Sequence, residues 1–123
     1  MFGRKKIIVV DDIPDVLYLL RSVLEFQGFD VVSYQNPEDA KNALESEKYD
    51  LLITDYYMGQ LNGLELIKHV RENIGNKEIK LILLTIKNMT EDEKRQLVHY
   101  NTILLEKPFS PNDLTQKVQS ILS

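Results

Sequence analysis

Residues 51–59 read LLITDYYMG, an apolar run suited to a core strand that stops on an acid, Asp55. A run with no apolar–polar alternation belongs to a strand buried on both faces, as in parallel sheets covered by helices. Four further runs are of the same kind: KIIVV at 6–10, FDVVSY at 29–34, KLILLT at 80–85 and TILLE at 102–106. The segments between them have helical periodicity. From Pro14 to Gln27, Val16, Leu17, Leu20, Val23, Leu24 and Phe26 form one apolar face, with Pro14 in the first turn and Gly28 as the stop. Asn36 and Pro37 open a second helix that ends near Ser46, and a third runs from about Gly63 toward Gly75. Thr90 with Glu93 makes a capping box for a fourth, and Ser110, Pro111 and Asp113 open a fifth in the same manner.

Five strand-then-helix units with no linker between them predict one α/β domain over residues 1–123. Right-handed crossovers make it a doubly wound, five-stranded parallel sheet with helices on both faces. Periodicity leaves the strand order open. In the common order 2-1-3-4-5, the switch point and its crevice lie between strands 1 and 3.

Bulk composition removes several classes of function. Apolar residues make up 43% and charged residues 28% of 123, the balance of a globular chain rather than a disordered one. A net charge of -4 lacks the basic excess that a grip on phosphate backbones needs, so direct nucleic-acid binding is not expected. The apolar IIVV after Gly3 to Lys6 is too short for a signal peptide or membrane span, so no membrane insertion is expected. With no cysteine there is no disulfide framework, thiolate metal site or thiol nucleophile, which suits a cytoplasmic protein.

The chemistry concentrates where the strands end. Asp11 and Asp12 follow the first strand, Asp55 the third, Thr85 closes the fourth, and Lys107 follows the fifth. A lone aspartate after a strand is ordinarily a cap or turn residue. In a parallel sheet, however, all C-terminal strand ends share one edge, so these five residues converge. Three crowded carboxylates must be neutralised by a proton, a cationic side chain or a metal, and Lys107 supplies only one charge. Oxygen donors without His or Cys favour a hard divalent ion such as Mg²⁺. Carboxylates, a metal, a lysine and a hydroxyl together suit phosphoryl transfer with a carboxylate nucleophile.

At these positions the chain resembles the receiver domains of two-component response regulators, in the style of the chemotaxis regulator. The resemblance covers nearly the whole chain and rests on the Asp11–Asp12 pair, Asp55 with Gly63 eight residues on, Thr85, and the KPF at 107–109. It implies a flavodoxin-like sheet of order 2-1-3-4-5. It also implies that Asp55 is the phosphoacceptor for a sensor histidine kinase or phosphotransfer protein. Asp12 would ligate Mg²⁺, Asp11 would hold a metal-bound water, and Asp55 with the Tyr57 backbone carbonyl would complete the protein's ligands. Lys107, preceding a cis bond to Pro108, would pair with Asp55 and then with the phosphoryl group, while Thr85 would turn its hydroxyl onto a phosphoryl oxygen. Such a protein is a signalling phosphoacceptor that assists its own phosphorylation and dephosphorylation, not a metabolic enzyme. The resemblance implies output through the face of the fourth helix, fifth strand and fifth helix, with a phosphorylation-linked dimer among the forms it can take. Nothing after the fifth helix is long enough for an effector, so a stand-alone receiver is expected ahead of one cut from a larger regulator.

Three positions and one turn depart from the family pattern. Leu104 stands where an aromatic residue usually reports activation, Ile86 where a small residue follows the switch hydroxyl, and Gly59 where a proline is common. His99 to Asn101 replace the small-residue turn before strand 5. Tyr57 and Ile86 are thus expected to screen the phosphoryl site from water, and output to rest on Thr85 and its loop. Tyr56 and Tyr57 read equally as packing at a strand exit. His69 and His99 read as surface or boundary residues, Met58 as filler, and Glu91 to Arg95 as a solvated helix face.

Rival functions fit less well. A metal-dependent aspartyl-phosphate phosphatase of the haloacid dehalogenase type needs a second acid two residues after its nucleophile, where Tyr57 stands. A flavin-type cofactor binder needs a Gly- or Ser/Thr-rich loop after strand 1, whereas DDIPD at 11–15 repels phosphate. A receiver reduced to a docking surface would not keep the complete acid, hydroxyl and lysine set.

Overall fold

The computed structural model describes residues 3–86 and 88–122. Its elements run β1 (Lys6–Val10), α1 (Pro14–Phe26), β2 (Asp30–Tyr34), α2 (Pro37–Ser46), β3 (Leu51–Asp55) and α3 (Gly63–Lys68). They continue with β4 (Lys80–Thr85), α4 (Glu91–His99), β5 (Thr102–Glu106) and α5 (Pro111–Leu122). The five strands pair in parallel in the order β2-β1-β3-β4-β5.

Strand residues alternate between two cores. Ile8, Val10, Leu52, Leu81 and Leu83 pack on one face with Leu66, Ile67 and Val70 of the third helical region and Leu97 of α4. Ile7, Val9, Leu51, Ile53, Ile82 and Leu84 pack on the other with Leu17, Leu20 and Leu24 of α1 and Leu114 and Val118 of α5. Burial of both faces explains why the runs carry no polar alternation. β3 lies in the middle and is buried along its whole length, so its last residue is carried on a strand held by neighbours on both sides.

The caps read from sequence are present. Thr90 and Glu93 form a reciprocal capping box, and Ser110 and Asp113 exchange the same pair of bonds at 3.0 and 3.1 Å. A third box, Asn62 with Glu65, was not read from the sequence; the N-x-x-E spacing before an apolar run was the available signal. The third helix also differs from a uniform α-helix, since α3 continues as a π-helical stretch, His69–Ile74. Within that stretch Arg71 Nε donates to the Tyr100 carbonyl at 2.9 Å and Nη1 to the Asn76 carbonyl at 3.0 Å. Tyr100 in turn donates its hydroxyl to Glu72. Two consecutive side chains of this stretch, Arg71 and Glu72, thus both bond to Tyr100 at the α4–β5 connection. Gly75, at φ 77°, closes the stretch in the left-handed region that glycine enters without cost.

These contacts account for the unusual turn before β5. Asn101 adopts φ 53°, a conformation asparagine tolerates better than most residues, and Tyr100 is buried beneath it. Glu72 and burial push the Tyr100 hydroxyl up to about 12, so it stays a proton donor throughout the ordinary pH range.

Candidate phosphoryl-transfer site

Sheet register builds the site. Val10 pairs with Thr54, so Asp11, just beyond β1, lies beside Asp55 at the end of β3. Asp55 pairs with Leu84, which sets Thr85 one residue further along β4. Thr85 pairs with Glu106, and Lys107 N donates to the Thr85 carbonyl at 3.0 Å, which brings Lys107 to the same edge. Its Nζ lies 2.9 Å from Asp11 Oδ2 and 3.1 Å from Asp55 Oδ1. The Lys107–Pro108 peptide bond is cis.

The acids are close and mostly dry. Asp11 is 0% and Asp55 6% exposed, while Asp12 is open to solvent. One carboxylate oxygen from each lies within 4.8 Å of the other two. Both Asp11 oxygens are engaged, Oδ2 by Lys107 and Oδ1 by the Ile13 N–H at 2.9 Å. Thr85 is buried at the end of β4. Tyr57 is 55% and Ile86 76% exposed, and Ile13, directly after Asp12, is also open. Large exposed side chains are therefore presented on three of the four loops that leave the site, those after β1, β3 and β4. Ile13 was not singled out from sequence, because an apolar residue before a helix proline carries no distinguishing signal there.

Electrostatics divide the site unequally. Burial, and then the Asp11 charge, raise the Asp55 carboxyl above the usual carboxylate range; Lys107 and the Tyr56 N–H oppose this without cancelling it. Burial alone would depress Lys107, but its bonds to Asp11 and Asp55 outweigh it and leave the ammonium harder to deprotonate. Lys107 is thus a fixed cation beside an acid that is poorly stabilised as an anion. The all-oxygen donor set with residual negative charge fits a divalent ion such as Mg²⁺.

The raised Asp55 carboxyl gives a first expectation. A group whose folded value is raised adds stability below its unfolded value, and that stability is lost as pH rises through the folded value. Ionised Asp55 therefore costs stability at neutral pH. In metal-free buffer at pH 7, Asp55→Asn should melt a few degrees above wild type, with the difference shrinking as pH falls toward 4. Added Mg²⁺ should narrow it from the other side by stabilising wild type more than the variant. A variant that melts below wild type without metal would refute this charge assignment.

Comparison with known proteins agrees with the geometry. The family model described as the response regulator receiver domain matches residues 7–119. The alkaline phosphatase synthesis transcriptional regulatory protein PhoP of Bacillus subtilis is 34% identical over 119 residues, covering 97% of this chain and 49% of its own length. An uncharacterized 14.6 kDa protein of Leptolyngbya boryana is 38% identical over 117 residues, covering 95% of this chain and 89% of its own. The chain spans about half the length of the transcriptional regulators it matches. Among solved structures, the chemotaxis response regulator CheY4 of Vibrio cholerae has the same fold, with a TM-score of 0.87 at 24% identity over 98% of this chain and 100% of that one. A family match over most of the sequence, relatives above 30% identity and a fold shared end to end mean that the chain belongs to the receiver domains of two-component response regulators.

Proposed function

We propose that Asp55 accepts a phosphoryl group from the phosphohistidine of a sensor histidine kinase or phosphotransfer protein, and that the modification changes which proteins the domain binds. One observation carries this reading: the central strand delivers a buried carboxylate to within 3.1 Å of a fixed lysine and beside two further acids. Holding several charges out of water is costly, which favours a chemical role over a purely structural one. A carboxylate oxygen of Asp55 bonds to phosphorus as the phosphorus–nitrogen bond breaks. The imidazole leaves with the bonding electron pair, as a neutral ring when its other nitrogen is protonated. Lys107, already at the site, faces the negative phosphoryl oxygens, and the Thr85 hydroxyl donates to one of them.

Asp12, Asp55 and the Tyr57 backbone carbonyl would hold Mg²⁺ directly, with Asp11 acting through water. The engagement of both Asp11 oxygens supports that indirect role. A bound divalent ion supplies charge neutralisation at the phosphoryl oxygens. Output is assigned to the face of α4, β5 and α5, where Val98 and Ile103 are exposed, as contact with a downstream protein or a second phosphorylated copy. Among the described residues no helix is long and apolar enough to cross a membrane.

The test is incubation with Mg²⁺ and acetyl phosphate followed by intact mass. Wild type should gain one phosphoryl group and Asp55→Asn none. Equal labelling of the variant would refute the site, and an unlabelled wild type that also refuses a histidine-kinase donor would refute the function. Lifetime is a separate expectation. With Tyr57 and Ile86 both changed to Ala, water reaches the acyl phosphate more freely, so decay of the labelled protein should quicken several-fold. Decay at the wild-type rate would remove the screening role.

A further inference from the structure

Tyr56, directly after Asp55, touches both ends of the connection that carries the switch hydroxyl. Its backbone N–H donates to the Leu84 carbonyl at 2.9 Å, one residue before Thr85. Its phenol donates to Glu93 Oε2 at 2.6 Å, in the first turn of α4. The other Glu93 oxygen, Oε1, accepts from Thr90 N at 2.9 Å and completes the α4 capping box. The ring is buried in the core cluster that also holds Met58 and Met89. A single residue therefore spans the β4–α4 loop from its last strand residues to the cap of the following helix.

The sequence leaves a gap for such a link. Leu104, partly buried against the same core, has no polar tip with which to report a movement of Thr85. A charge-assisted phenol–carboxylate bond is stronger than a neutral one and directional, so it holds α4 in one place while it lasts. Phosphorylation can move α4 only by as much as contacts differ between the two states. The contact that joins the phosphoacceptor's neighbour to the α4 cap is where that difference can be held.

Building on the phosphoacceptor reading, we propose that Tyr56 is a positioning residue that couples the state of Asp55 to α4 through Glu93. The hydroxyl has no role in the transfer itself. Removing it should leave labelling intact and uncouple the helix.

The experiment uses wild type, Tyr56→Phe, Glu93→Gln and the double variant, each treated with Mg²⁺ and acetyl phosphate. Intact mass measures the phosphoryl group, and amide spectra measure the response of residues 91–97. Glu93→Gln keeps a carbonyl acceptor for the cap, and unchanged α1 and β1 amides confirm a folded protein. Wild type should label and shift its α4 amides. Tyr56→Phe should label to the same extent with less than half the α4 shift, and the double variant should lose no more than Tyr56→Phe. A full α4 response in labelled Tyr56→Phe would overturn the coupling. So would a folded Tyr56→Phe that no longer labels, because the hydroxyl would then act on the chemistry. If wild type does not label, the phosphoacceptor reading falls and the coupling falls with it.

Discussion

Lys107→Met, at neutral pH and without divalent metal, should lower the stability of the fold by about 3 kcal/mol, a fall of roughly 10 °C in melting temperature. The lysine side chain lies among Asp11 and Asp55, which are 0% and 6% exposed, at 2.9 and 3.1 Å. Removing the cation leaves two nearly buried carboxylates facing each other, with Asp12 within 4.8 Å. Methionine retains most of the apolar stem, so lost packing contributes little and the charge effect is isolated. The sign with pH follows from Asp55. Lys107 is one of the groups that hold its carboxyl down, so without it the already raised carboxyl rises further. The deficit of the variant should therefore be largest near pH 7 and shrink as pH falls and the site takes up a proton. Paired chemical denaturation of wild type and variant across pH 4.5–7.5 tests this. A deficit that grows on acidification would show that Lys107 stabilises through packing instead. Asp55→Asn and Lys107→Met should thus move stability in opposite directions, although both remove one charge from the same site.

Gly63→Ala should cost about 3 kcal/mol and slow phosphorylation of Asp55 by roughly a hundredfold. A β-carbon at position 63 would lie 2.2 Å from the Asp55 carbonyl oxygen and 2.7 Å from Leu83 Cδ1. The leucine can turn aside, but the carbonyl belongs to the central strand and cannot. Alanine favours helices over glycine by up to about 1 kcal/mol, and less at the first position of a helix, so the clash decides the sign. Relief requires moving the start of α3 away from β3, which breaks the 2.8 Å bond from Gly63 N to the Tyr56 carbonyl. That bond lies in the loop directly after Asp55, so the damage reaches the proposed acceptor. Melting temperature and the acetyl phosphate labelling rate should fall together. A variant that melts within about 1 °C of wild type would show that the loop yields at little cost.

The fold was legible because its signals are local and repeated. Five apolar runs, the Thr90 and Ser110 caps and the Gly75 stop each report on a few neighbouring residues. The gathering of Asp11, Asp12, Asp55 and Lys107 was also legible, since parallel strands present their ends at one edge whatever their separation in sequence. The bond from Tyr56 to Glu93 was not, because nothing local marks two residues 37 apart as partners and Glu93 already had a complete explanation in its capping box. The π-helical stretch was hidden for a related reason. Leu64, Leu66, Ile67 and Val70 fit ordinary helical spacing, and the partner that Arg71 and Glu72 share, Tyr100, lies almost thirty positions away.

The bond between Lys107 and Asp11 joins residues 96 apart, nearly the full length of the chain. A polypeptide emerging from the ribosome has Asp11, Asp12 and Asp55 long before it has the cation that balances them. Until β5 docks on β4, Asp11 and Asp55 lack the lysine that pairs with both. On the proposed reading of Asp55, competence to accept a phosphoryl group is therefore a property of the finished sheet rather than of the acceptor residue alone.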